Sequence, residues 1–358
     1  MYIKNLRNFV NLRVIILGLV DVASLQPGMI LKEDVVDINY KIPLACRGVK
    51  LTSQLIKKFS YVGIPVVNIE LPKEVTEQIM IETSEVLKNI FETVGKNQET
   101  DFNKLIPFAE KIVNLIITYG QQVIDEIFLL WKMDQYTFHH SIGTAFFSVL
   151  IGNELGYNES QLKDLALGSL LHDLGKGLIP SDILNKPGRL APHEFDEIKK
   201  HPYLGYKILK ENSSFNEKIL VIPLQHHERK DGNGYPLMLK GDSIHPYAKI
   251  VSIADMFSAL TTDRVYRNKV SKFVAGEYLI DASNYALDKY LVNVFLYAIL
   301  RDMKDTWVIL SNGEMGKIIS VNYKHPTRPK LAIYKGNEFI SLKDLTKYPQ
   351  IFIKDYLK

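Results

Sequence analysis

The chain has 358 residues, room for about two domains, and 46% hydrophobic with 23% charged residues describes a folded globular protein and excludes a disordered one. A net charge of +4 excludes a general nucleic-acid coat, so no DNA or RNA polymer is expected as a partner. The single cysteine, Cys46, excludes an internal disulfide and a thiolate zinc site and favours a cytoplasmic setting.

The longest early apolar run, Val14 to Val20, is too short to cross a bilayer and reads as a strand or buried segment, so no membrane partner is expected. Short apolar segments then alternate with turns at Pro27-Gly28, Gly48 and Gly63-Ile64-Pro65, which predicts a small β-rich N-terminal domain over 1–72. Within it, Leu51-Thr52-Ser53-Gln54-Leu55-Ile56 reads as a cap and a short helix, and Val66 to Ile69 as a strand. Residues 73–124 carry apolar side chains every three or four positions, as in Glu85 to Phe91, and read as connector helices. Their apolar stripe is taken as core, with the seam of a homodimer as the alternative. A predominantly helical block follows over 125–304. Residues 305–358 read as a small β-rich C-terminal segment, with strands at Val308 to Leu310, Lys317 to Val321 and Lys330 to Tyr334 separated by Gly313, Gly316 and Gly336.

Of the nine histidines, His140, His172, His201, His226 and His227 fall between positions 140 and 227 in or beside short motifs. Several separately spaced His and Asp residues in one helical block argue for a metal site. The segment from Asp164 to Asp173 leaves little polar surface and predicts a buried helix whose end presents His172 and Asp173. An unpaired carboxylate there would be costly to bury, whereas cation coordination satisfies both groups. Gly175 and Gly177 are expected to stop this helix and leave Lys176 near the site. A second helix is expected to begin at His140 and run through Ile142, Ala145, Phe146 and Val149. His201, the pair His226-His227, and Asp255 at the end of the apolar stretch from Ile250 complete the ligand candidates, with Asp173 suited to bridge a metal pair. A mixed imidazole and carboxylate set suits iron first and manganese second.

These residues, standing as His140-Ser141, His172-Asp173-Leu174-Gly175-Lys176, His201-Pro202, the run from His226 to Pro236, and Asp255 through Arg267, resemble the HD-GYP family, a branch of the HD phosphohydrolase superfamily. The resemblance covers about half the chain. It implies a mainly α fold, an HD-type helical bundle with small β-rich N-terminal and C-terminal appendages. It also implies two divalent metal ions, one held by His140, His172, Asp173 and Asp255, the other by His201, His226 and His227, with Asp173 between them. The implied activity is hydrolysis of a cyclic dinucleotide, cyclic di-GMP first, to linear pGpG and onward to GMP by a water activated between the cations. Another cyclic dinucleotide such as cyclic GMP-AMP, and a noncatalytic cyclic di-GMP receptor, are the alternatives.

By the same resemblance Asp173 and Lys176 carry catalysis, while Lys176, Arg264 and Arg267 are cations aimed at substrate phosphates. Gly234-Tyr235-Pro236 is the substrate-facing loop, with Tyr235 near the metals and Gly234 leaving room for the ligand. Family register selects His140 over His139. Tyr136 stands where some members place a glutamate for a third metal, which argues for two. Ser258 replaces an acidic residue found in many relatives, with an expected effect on hydrogen bonding behind the ligands, and Lys230 replaces an aromatic one, with an expected effect on base contact or loop packing. His193, His245 and His325 are expected to be structural or exposed.

Overall fold

A computed structural model describes residues 19–37, 40–70, 73–130, 138–212, 215–262, 270–335 and 338–357. The N-terminal part is built from four short strands, β1 (Leu19–Asp21), β2 (Val35–Val36), β3 (Pro43–Ala45) and β4 (Val66–Asn68), and one helix, α1 (Ser53–Val62). Strand β1 pairs antiparallel with β4, and β2 with β3. The Thr52 hydroxyl caps α1 by accepting the Leu55 N–H at 3.2 Å, and Gly63 ends it at a φ of +77°, a left-handed position that glycine takes without a Cβ clash. The helix thus outruns the short segment expected from Leu51 to Ile56. Of the run from Val14, only Leu19 and Val20 lie among the described residues, in β1.

Three helices follow: α2 (Lys73–Gly95), α3 (Ile106–Tyr119) and α4 (Gln121–Leu130). A domain boundary at 124/125 would cut α4, whose buried Val123, Ile124 and Ile127 form one continuous apolar face. The central helix is α5 (His139–Glu154), buried from Ser141 to Gly152. A helix apolar on all sides must be surrounded, and α3, α6 (Glu159–Leu170), α11 (Pro246–Thr261) and α13 (Lys289–Leu300) surround it. Phe147, Phe257 and Phe295, from α5, α11 and α13, meet edge to face with centroids 4.8 to 5.7 Å apart, the geometry aromatic rings favour. Arg301 closes the far end of α5 with a two-pronged pair to Glu154 at 2.9 and 3.0 Å.

Between α6 and α11 the chain makes α7 (Ser181–Leu184), α8 (Pro192–Ile198), α9 (His201–Asn212) and α10 (Glu217–Gln225). After α12 (Lys272–Ala282) and α13, the chain ends in one antiparallel sheet: β5 (Trp307–Leu310), β6 (Met315–Asn322), β7 (His325–Lys335), β8 (Glu338–Asp344) and β9 (Ile353–Leu357), in the order β8-β7-β6-β5-β9. The three expected strands are β5, β6 and β7. Strand β8 escapes sequence reading because it is an edge strand, exposed along most of its length, so its apolar Phe339, Ile340 and Leu342 follow no alternation. The fold is mainly α, a helical bundle with small sheets at both ends.

One expectation needs correction. The helix through Asp164 was expected to run to His172-Asp173 and stop at Gly175, but α6 ends at Leu170 and a tight 3-10 turn spans Leu174–Leu178. The cause is tertiary: Gly175 lies so close to the start of α9 that a Cβ there would sit 2.0 Å from the His201 carbonyl oxygen and 2.6 Å from Gly205 N. The chain must leave the helix early to make that approach.

Candidate metal centre

Five parts of the bundle deliver the seven ligand candidates. His140 stands in the first turn of α5, His172 and Asp173 in the turn after α6, His201 at the first residue of α9, His226 and His227 just past the end of α10, and Asp255 in the middle of α11. The side chains converge in two groups, His140, His172 and Asp255 in one, and Asp173, His201, His226 and His227 in the other. Asp173 joins them. Its Oδ2 lies 3.4 Å from His172 Nε2 and 3.8 Å from His140 Nε2, while its Oδ1 lies 3.3 Å from His201 Nε2 and 3.7 Å from His226 Nε2. Asp255 Oδ1 approaches His140 Nε2 at 3.0 Å, and Asp255 Oδ2 approaches His227 Nδ1 at 4.0 Å. His139 belongs to neither group.

The imidazoles are oriented from behind. Nδ1 of His172, His201 and His226 sits 2.6 to 2.8 Å from the backbone carbonyl three residues earlier, at Ser169, Ile198 and Pro223. A carbonyl only accepts, so each Nδ1 carries the proton and each Nε2 presents a lone pair to the centre, the arrangement that orients metal-binding histidines. His201 and His226 then face each other Nε2 to Nε2 at 3.4 Å, and Asp173 Oδ1 and His172 Nε2 are buried without a hydrogen-bond partner. Converging acceptors with no proton between them fit a cation. His140 differs: its Nδ1 lies 3.2 Å from the Ser258 hydroxyl, which in turn donates to the His140 carbonyl at 3.0 Å. Ser258 thus lies directly behind the His140 ring.

Electrostatics favour the ligand forms. Burial pushes the Asp173 carboxyl up, but Lys176, His172 and His201 outweigh it and hold Asp173 well below the usual carboxylate range. Asp255, also buried, is held low by His140, His172 and His227. Burial lowers His226 to about 4, and burial with the neighbouring His226 lowers His227. His140 is lowered by burial, only partly opposed by Asp255. Burial opposes protonation of His172 too, yet Asp173 and Asp255 raise it. Ionised carboxylates beside mostly neutral imidazoles need little deprotonation before binding a metal. Lys176 Nζ lies 2.5 Å from Asp173 Oδ2.

The Tyr235 ring lies 4.7 Å from that of His227, tilted by 32°, with Phe195 edge-on at 6.5 Å. A Cβ at Gly234 would come within 2.5 to 2.6 Å of Arg229 N, Glu228 Cα and the His227 oxygen, so the glycine permits a close approach of the chain's own backbone. Lys230 packs the loop by donating from its side chain to the Ser283 carbonyl at 3.1 Å. Arg264, Arg267 and Tyr136 lie outside the described residues. His193 and His325 are exposed, and His245 caps α11 by accepting the Tyr247 N–H at 3.2 Å.

Two features escaped sequence reading. Glu228, buried behind the loop, accepts the backbone N–H groups of Leu237 and Leu239 at 2.7 and 2.9 Å. Helix α2 touches the centre from outside: the Phe91 ring meets Phe138, just before His139, at 5.0 Å, and the missing Cβ of Gly177 lets the Lys176 turn approach the Phe91 carbonyl. The acidic residue directly after His227 was the available signal for the first; nothing local announces the second.

An HD domain family model matches residues 106–291, just over half of the chain. A cyclic di-GMP phosphodiesterase of Pseudomonas aeruginosa is 27% identical over 201 residues, 56% of this chain and 48% of that protein. A 3'3'-cGAMP-specific phosphodiesterase of Vibrio cholerae is 39% identical over 138 residues, 38% of this chain and 32% of that protein. The chain thus spans about half or less of the length of these curated relatives. An HDGYP protein from Bdellovibrio bacteriovorus shares the fold, with a TM-score of 0.50 at 19% identity over 77% of this chain and 97% of that one. On a family match of this extent the chain belongs to the HD domain family.

Proposed function

We propose that the chain is a metal-dependent phosphodiesterase that hydrolyses a cyclic dinucleotide, cyclic di-GMP first, to pGpG and onward to GMP. The observation that carries this reading is the Asp173 carboxylate, whose two oxygens face two separate sets of imidazoles. His140, His172, Asp173 and Asp255 would hold one divalent ion and His201, His226 and His227 with Asp173 the other. Bound there, two such ions supply Lewis acidity to both the attacking and the leaving oxygen of a phosphodiester. Lys176, beside Asp173, would bring a positive charge to the phosphate oxygens as negative charge gathers on them. Arg264 and Arg267 are proposed, on resemblance alone, to hold the phosphate that does not react. Tyr235, stacked beside His227, would wall the site on the substrate side.

The donor set, five imidazoles and two carboxylates, supports iron before manganese. No helix of the described residues is long and apolar enough to cross a membrane, and a cytoplasmic setting is part of the proposal. So is the division into an N-terminal β-rich unit, connector helices, catalytic bundle and C-terminal sheet.

The test is hydrolysis of cyclic di-GMP by protein purified without oxygen and loaded with iron or manganese, with metal content and products measured on one sample. Linear pGpG or GMP is expected. No product at two metals per chain would overturn the reading. The specific second reading is cyclic GMP-AMP as the substrate, favoured by the 39% identity to the Vibrio cholerae relative, and the same assay with that nucleotide separates them.

A further inference from the structure

Glu228 follows the last imidazole of the centre but does not join it. Its side chain is buried, and both carboxylate oxygens are engaged on the far side, Oε1 by Leu237 N–H at 2.7 Å and Oε2 by Leu239 N–H at 2.9 Å. These two amides lie just beyond Tyr235-Pro236. On the near side, the Tyr235 N–H donates to the His227 carbonyl at 3.3 Å, and Gly234 presses against Glu228 Cα. The tip of the loop is thereby folded back onto its own start. Its outgoing limb gains little from apolar burial, because Leu237 is 48% and Met238 71% exposed. Two hydrogen bonds to one carboxylate, of the charge-assisted kind that is stronger than a neutral pair, are what tie that limb down. The base is fixed separately, by Lys230 N–H on the Ala286 carbonyl and Asp231 N–H on the Tyr285 carbonyl.

We infer that Glu228 is a positioning residue: by clamping Leu237 and Leu239 it sets the Tyr235 ring against His227 and so aligns a bulky cyclic dinucleotide over the metals. The inference rests on the phosphodiesterase reading for its catalytic consequence, though the clamp itself does not. Glu228→Gln keeps the volume but turns an amide nitrogen towards one of the two N–H groups. With the metal-loaded full chain, kcat and KM would be measured on cyclic di-GMP and on bis(p-nitrophenyl) phosphate, a small diester that needs the metals and no alignment. The variant should keep its metals and stay within about twofold of wild type on the small diester, while kcat/KM for the dinucleotide falls by about 10–100-fold, the cost typical of groups that orient a metal site from behind. Adding Tyr235→Ala to Glu228→Gln should then cost far less than it does in wild type.

Equal losses on both substrates, or loss of metal, would show a merely structural role and overturn the inference, as would an unchanged dinucleotide kcat/KM. Hydrogen exchange on wild-type protein gives an arm independent of activity and of the variant's folding. The Leu237 and Leu239 amides should exchange more slowly than that of Met238, and equal rates would remove the clamp. A wild type that cleaves the small diester but no cyclic dinucleotide would instead sink the cyclic-dinucleotide reading, with the exchange rates still deciding the clamp.

Discussion

The two sides of the metal centre are held in different ways. On the inner side, His172, His201 and His226 are buried, and each is aimed by a backbone carbonyl three residues before it. On the outer side, the side chains of His140, His227 and Asp255 keep 20%, 26% and 16% of their exposure, and His140 is aimed by a side chain, the Ser258 hydroxyl. A carbonyl cannot be mutated away, whereas a hydroxyl can. The comparison teaches that the inner side is fixed by the fold, while the outer side, which keeps part of its exposure to solvent, is open to tuning by single residues.

The largest expected effect tests what joins the two ligand groups, each of which takes residues from both the inner and the outer side. Asp173→Ala removes the carboxylate common to both, so metal analysis should show both ions lost and turnover reduced by more than about 100-fold, beyond what changes behind the ligands cost. Retention of one full metal equivalent would mean that the two ligand groups are independent. Next, His140→Ala and His226→Ala should both be strongly impaired, but added imidazole should restore part of the activity only to His140→Ala, whose vacated space is open to solvent. Equal rescue would break the distinction between inner and outer.

Ser258→Ala should weaken metal binding at the group formed by His140, His172 and Asp255 by about 10–100-fold and leave the group of His201, His226 and His227 unchanged, measured by stepwise chelator titration. The smallest effect concerns α11, which carries Asp255 and is capped by His245 Nδ1. Burial, helped by Lys218, lowers the pKa of His245 in the folded protein. Below the ordinary imidazole value of about 6.5, the unfolded chain therefore takes up this proton first. Stability falls as the pH drops from that ordinary value until the folded pKa is passed, and the contribution is fully present only above the ordinary value. Loss of the cap is worth about 1 kcal/mol. His226, lowered to about 4, contributes in the same direction, so the measurement is a difference: urea unfolding of metal-free protein from neutral to mildly acidic pH, wild type against His245→Asn, which caps without titrating. Parallel curves would exclude a contribution from the cap.

Much of the centre was legible because its chemistry is local. His172-Asp173, His226-His227 and Asp255 stand in apolar surroundings where an unsatisfied imidazole or carboxylate would be expensive, and that cost can be read from neighbours in the chain. The choice of His140 over His139 needed family register; the geometry agrees because only the former reaches Asp255. The end of α6 was misplaced by a few residues, since what ends it is the approach of Gly175 to His201 and Gly205, some thirty positions away. Glu228 was legible as an acid but not as a clamp.

By itself the sequence determined the mainly α class, the β-rich ends, and the identity and order of the metal-ligand candidates, because periodicity, turn residues and the cost of burying charge act over a few residues. Only the tertiary structure decided which oxygen of Asp173 faces which imidazoles, that Ser258 and three carbonyls set the tautomers, that Gly234 serves the backbone, and that α2 leans on the Lys176 turn. Those relations are distances between separate helices. They exist only once the apolar faces of α5, α6, α11 and α13 have packed, and a linear pattern of residues carries no record of a gap measured in ångströms across a core.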